Sequence, residues 1–188
     1  MKHNIFSKVK LFSAMALVAS VLFFAGCQNP TVTQTEYYYV LPVDSNDAVL
    51  GTWTANENES YGITQAGFVN EAYEGNSLVV LKTSDTAGTI FIKYTKVYDW
   101  NNGVTEDPHD DSYLHYSVDD VWEFWYPLNE ELIGKWYAIS YKNLTSSSIS
   151  ISGAYKADGI KAADTLDEAV REFTIANGYF GSYTECTK

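Results

Sequence analysis

The stretch "SLVVLKTSDTAGTIFIKYTKV", residues 77–97, decides the fold. Two runs rich in Val, Ile, Thr, Phe and Tyr flank the turn residues Ser84 to Gly88, so the stretch reads as a β-hairpin. A second pair lies in "GKWYAISYKNLTSSSISISGAYK", residues 134–156. There Trp136, Ala138 and Ser140 point one way and Tyr137, Ile139 and Tyr141 the other, while Ile149 and Ile151 alternate with Ser148, Ser150 and Ser152. One face is expected to be apolar and the other polar or wet.

Outward from these pairs, Tyr, Val, Ile, Thr, Phe and Trp dominate, and Gly, Asn, Asp and Ser mark the turns. Strands are predicted over 49–55, 60–64, 67–73, 77–83, 88–98, 121–126, 134–143 and 147–155. One helix interrupts them. "DTLDEAVREFTIANG" opens with Thr165, has Glu168 three residues on as in a capping box, and stops at Asn177 and Gly178. Leu166, Ala169, Val170 and Phe173 share a face, which predicts a helix lying against the sheet with Arg171 and Glu172 in solvent. "YFGSYTEC" supplies a short final strand.

This order is similar to that of the lipocalin-like barrels. Gly51, Thr52 and Trp53 resemble the Gly-x-Trp motif of that family, whose tryptophan packs across the closed end, and Gly134, Lys135 and Trp136 repeat the triplet. The resemblance implies a mainly β body, an antiparallel meander closing into a barrel of about eight strands, followed by the C-terminal helix and short last strand. The chain departs from the family in having no arginine on a late strand to cover Trp53, since its single Arg171 is on the helix.

The N-terminal side places the protein in a cell. Residues 1–26 carry Lys2, Lys8 and Lys10, no acid, and an apolar run from Leu11 to Phe24 that is short for a membrane span. The segment reads as an export signal. Its end, "FFAGC", resembles the lipobox of bacterial lipoproteins, with Phe24 where Leu is usual, as in spirochaete-type lipoboxes. That resemblance implies cleavage before Cys27 and acylation of its thiol, making the lipid bilayer a partner. Gln28 in place of Asp favours the outer membrane, with the face left open. Residues 27–47 then read as a tether and 48–188 as one domain. Within the tether, "EYYYVLPV", residues 36–43, could dock as an edge strand. The body also resembles spirochaete-type lipoproteins with "GKWYA"-style strands and a "Cys-x-Lys" ending, a likeness that implies no activity.

Without residues 1–26 the chain has nine Lys/Arg against 24 Asp/Glu, a net charge of −15. Such a field disfavours nucleic acid and anionic headgroups. "DWNNGVTEDPHDDSYLHYSVDD", residues 99–120, holds seven carboxylates with His109 and His115, either a metal site or, as like charges favour, a solvated acidic loop. "VWEFWYPL", residues 121–128, reads either as a strand buried on one side and loop-covered on the other, or as an aromatic wall for an apolar or sugar ligand. Cys186, left without a partner once Cys27 is acylated, reads as a small buried hydrophobe.

No nucleophile elbow, P-loop, Rossmann glycine pattern or His-Glu-x-x-His motif occurs, so neither catalysis nor a cofactor is expected. Two functions remain. In one, the barrel holds a small apolar or amphipathic ligand against Trp53, Trp122, Phe124, Trp125, Tyr126 and Trp136. In the other, a solid barrel built on Trp53, Phe91, Trp136 and Ile151 binds a protein or envelope partner through its exterior.

Overall fold

The computed structural model describes residues 43–56, 59–118 and 122–188. The signal segment, Cys27 and the tether up to Pro42 lie outside the described residues. Eight strands close an antiparallel barrel: β1 (Gly51–Asn56), β2 (Glu59–Ile63), β3 (Gly67–Val69), β4 (Tyr73–Ser84), β5 (Ala87–Val97), β8 (Trp136–Lys142), β9 (Ser148–Gly153) and β10 (Thr184–Thr187). Each pairs with the next, and β10 returns to β1, so the barrel is of the up-and-down type. The remaining pair, β6 (Leu114–Val118) and β7 (Trp122–Tyr126), forms a separate two-stranded sheet inserted between β5 and β8.

The expected eight-stranded meander is therefore present, with one exchange of members. The aromatic strand predicted over 121–126 is outside the barrel, and the final short strand takes the eighth place. The acidic stretch ahead of it, read as a loop or metal site, contains the partner strand β6. Period-two alternation identifies a strand but says nothing of its sheet, and β6 was masked by the carboxylates around it.

The barrel interior is packed. Trp53, Ile63, Phe68, Ile90, Ile92, Ile139, Tyr141, Ile149 and Ile151 are all buried there, and an eight-stranded barrel is just wide enough for its side chains to fill. Close strand approach depends on glycine, most sharply at Gly67, where a Cβ would lie 2.0 Å from the Gly75 carbonyl oxygen.

One end is sealed. The turns β2–β3, β4–β5 and β8–β9 gather there with residues 43–50, and Val43 and Val49 are buried in the core. Gln65 Nε2 donates to the Val43 carbonyl at 2.7 Å. The folded body thus includes residues 43–47, which sequence had assigned to the tether. Trp53 donates from Nε1 to the Val49 carbonyl at 2.9 Å. The cation sought on a late strand is Lys188, whose Nζ stands 4.4 Å from the Trp53 ring centroid and donates to the Ala48 carbonyl at 3.2 Å.

Outside the barrel, the face read as wet is mostly covered. Ser140, Ser150 and Ser152 are buried, with the Ser140 hydroxyl 2.8 Å from that of Tyr183. Phe91 and Ala138, opposite each other in register, are buried on the same outer face. Helix α1 (Leu166–Glu172) contacts β8 and β5, and Ala169, Val170 and Phe173 are buried, whereas Leu166 is only half-buried. The N-cap forms, with the Glu168 amide donating to Thr165 Oγ1 at 3.2 Å, while the returning Glu168 carboxylate reaches one residue further than in a capping box and accepts from the Asp164 amide at 3.0 Å.

The helix ends earlier than predicted because Asn177 Nδ2 donates to the carbonyls of Arg171 and Glu172 at 3.0 and 2.8 Å, satisfying them from a turn. Glu172, expected in solvent, accepts from the Tyr179 hydroxyl at 2.7 Å. Thr165→Ala is expected to cost about 0.5 to 2 kcal/mol in chemical denaturation through the lost cap. An unchanged midpoint would show that the cap contributes nothing here.

Candidate functional site at the open end

The opposite end of the barrel carries the two long excursions, residues 98–135 and 154–183, and here the packing opens. A cleft of about 490 Å³ is lined by Tyr73, Tyr94 and Tyr137 from the strand ends. Tyr98, Trp100 and Leu132 line it from the first excursion, and Tyr155, Ala157 and Lys161 from the second. Strand alternation explains the floor. Tyr94 lies two residues beyond Ile92 and Tyr137 two before Ile139, so both continue the inward-facing rows of β5 and β8.

The tyrosine rings brace one another. Tyr94 and Tyr137 stack with centroids 5.0 Å apart, and Tyr73 meets Tyr137 and Tyr94 edge-on at 5.3 and 5.8 Å. Tyr73 also stacks on Phe68 at 5.4 Å, which ties the floor to the solid interior. The Tyr137 hydroxyl occupies the space over Gly153. A Cβ there would lie 2.5 Å from Tyr137 Oη, so a larger residue at 153 would force the Tyr137 hydroxyl to move, while Tyr73 Oη, at 3.8 Å, would be in ordinary contact.

Burial pushes the Tyr137 hydroxyl up to about 12, against the lowering effect of its hydrogen bond with Tyr73, and raises those of Tyr73 and Tyr94 well above the ordinary tyrosine value, where the neighbouring tyrosines add to it. The floor is therefore neutral at physiological pH. It offers ring faces and hydrogen-bonding hydroxyls. At the rim Lys156 lies 3.9 Å from Asp158, and Asp99 is held below the usual carboxylate range by hydrogen bonds from the Asn101 amide and the Asn102 side chain.

The residues singled out from sequence are dispersed. Trp53 is fully buried at the sealed end. Trp136 is half-buried on the outer face, where its amide donates to the Ala163 carbonyl at 2.7 Å. Trp122, Phe124 and Tyr126 share one face of the β6–β7 sheet with Tyr116, while Trp125 lies on the other, stacked on His115 at 4.8 Å. None of these six lines the tyrosine cleft. The tyrosines that do were present in the predicted strands. Their signal was an inward row that changes from isoleucine to tyrosine toward one end.

Cys186 is buried and its thiol raised to about 11, chiefly by burial and then by the Glu59 and Glu185 charges, as suits an inert small hydrophobe. Among the described residues no group of three or more His, Cys, Asp or Glu side chains could hold a metal ion. The carboxylates of the acidic stretch instead accept from nearby backbone amides, Asp107 from His109 at 2.7 Å and Asp110 from Ser112 at 2.9 Å. No helix among the described residues is long and apolar enough to cross a membrane. Comparison with protein-family models, curated proteins and solved structures finds no match to this chain.

Proposed function

We propose that this is a lipid-anchored protein of the bacterial outer membrane whose barrel is a solid scaffold and whose open end binds a small amphipathic ligand. The observation that carries the reading is the cleft floored by Tyr73, Tyr94 and Tyr137. Its volume of about 490 Å³ falls in the range of small-molecule sites. Aromatic rings there give large contact area at low ordering cost, and the hydroxyls orient a polar group. The ligand belongs at the rim because the barrel interior is filled by the protein's own side chains. The lining tyrosines stay protonated, and among the described residues no Ser, Thr, Cys or His lines the cleft, which favours binding over catalysis.

The anchor rests on "FFAGC" and Cys27. In the Cys27→Ala variant, acyl chains should be absent by mass spectrometry and the protein should leave the detergent phase on partitioning. Continued partitioning into detergent would overturn the anchor. For the cleft, the neutral dye N-phenyl-1-naphthylamine is expected to brighten on binding the mature protein and to do so far less with Ala157→Trp, which fills the cleft from an exposed lining position. Equal brightening of the two proteins would place dye binding elsewhere.

One feature favours a second reading, a protein or envelope partner bound through the exterior. Trp122 is 63% exposed beside half-exposed Tyr116 and Val118 on one face of the β6–β7 sheet. If that face is the working surface, Trp122→Ser abolishes partner capture by the mature protein while dye binding at the cleft persists.

A further inference from the structure

Adjoining the tyrosine cleft, and sharing Ala72 and Trp100 with it, lies a larger one of about 660 Å³ between the barrel rim and the β6–β7 sheet. Its chemistry is different. The rim contributes Glu59 at the start of β2 and Glu71 in the β3–β4 turn, and the opposite wall contributes Trp100 and Tyr116. We propose that this second cleft binds a small organic cation, an alkylammonium group held between the exposed surface of the Trp100–Tyr116 pair and the two carboxylates on the facing rim.

Four observations converge on that class of ligand. Among the described residues two carboxylates line the space, with His115 and no Lys or Arg, and Glu71 is the freer of the two because Glu59 also accepts from the Tyr61 hydroxyl. Trp100 and Tyr116 meet edge-on with centroids 5.9 Å apart, and they are 45% and 41% exposed, so ring surface faces the opening. An ammonium ion is attracted to the face of such rings, most strongly to tryptophan. The wall is also pre-formed: Trp100 is seated on Tyr126 at 4.4 Å, and the Ala72 amide donates to Asn70 Oδ1 at 2.8 Å to hold the turn that carries Glu71. Finally, the net charge of −15 on residues 27–188 steers cations inward and anions away. A neutral sugar would use the aromatic faces but leave the carboxylates without a counter-charge, and an anionic ligand would oppose them.

Isothermal titration of the mature protein in a polyoxyethylene detergent, which carries neither sugar nor charge, tests this with choline as the probe and 3,3-dimethylbutan-1-ol, its uncharged carbon isostere, as the control. Choline should bind saturably, the isostere about tenfold or more weaker, and choline affinity should fall with added salt as exposed charges are screened. Glu71→Gln, in an exposed turn with no part in the core, should weaken choline several-fold, and Trp100→Ala should weaken it further. Ala157→Trp, which lines only the tyrosine cleft, should leave choline binding unchanged, so failure of either cleft is read separately. Equal binding of choline and its isostere, no choline binding at all, or preference for a neutral disaccharide insensitive to Glu71→Gln would each overturn the proposal.

Discussion

Raising the pH from about 9 to about 12 is expected to unfold the protein, over the window in which buried thiol and phenol groups would ionise in the free chain. Cys186 is raised from 9.0 to about 11, and Tyr137 and Tyr141 from 10.0 to about 12, each chiefly by burial. Tyr61, Tyr73 and Tyr94 are also raised. These are acids whose folded values lie above their unfolded ones. Above about pH 9 the unfolded chain releases protons that the folded chain keeps, so it binds fewer, and stability falls as pH rises. The stabilisation is intact below the unfolded values and lost as pH climbs through the folded ones. Each fully mismatched group contributes a slope of about 1.4 kcal/mol per pH unit. With several acting together, a domain stability of about 5 to 15 kcal/mol is exhausted within one to three pH units. Circular dichroism and tyrosinate absorbance followed together check this. Buried tyrosines should ionise only as the native signal disappears, and Cys186→Ala should delay the onset from about pH 9 toward pH 10. Full tyrosine ionisation with native dichroism retained would contradict the buried floor.

Trp53→Ala is expected to cost about 3 to 5 kcal/mol, the range for emptying a large aromatic site in a core. The side chain is fully buried, and its loss also leaves the Val49 carbonyl without its indole donor and Lys188 without its ring. The position matters more than its volume. β1 and β10 pair at Thr54 with Thr187 among the described residues, so the barrel closes through a short seam beside this tryptophan. Lys188→Ala should cost much less, about 0.5 to 1 kcal/mol, as an exposed cation–π contact. Urea midpoints measure both. A Trp53→Ala loss below that of Lys188→Ala would show that the sealed end does not hold the barrel shut.

Hairpin chemistry, the Gly-x-Trp resemblance and the capping box lead to the barrel and helix because each is local: a turn, a triplet, a hydroxyl three residues from a carboxylate. The exterior β6–β7 sheet did not follow, because Trp122, Phe124 and Tyr126 alternate as a barrel strand would, and only the pairing with Tyr116 across an acidic stretch removes them from it. The covering lysine was hidden for a related reason. Lys188 is just past the last strand and 135 residues from Trp53, a contact that depends on closure. The tyrosine floor is assembled from β4, β5 and β8, so Tyr73, Tyr94 and Tyr137 are neighbours only once the barrel brings those strand ends together. Composition counted 15 tyrosines but could not show that three share one end of a barrel.

A solid barrel with a ligand cleft at its open end is tested most directly by native mass spectrometry of the mature protein, extracted from its own host's membranes in mild detergent. The expected spectrum shows, beyond the acylated chain, a retained small molecule that disappears in Ala157→Trp, where the cleft is filled and the barrel core untouched. A wild-type spectrum with no added mass, or the same mass retained in Ala157→Trp, would contradict it.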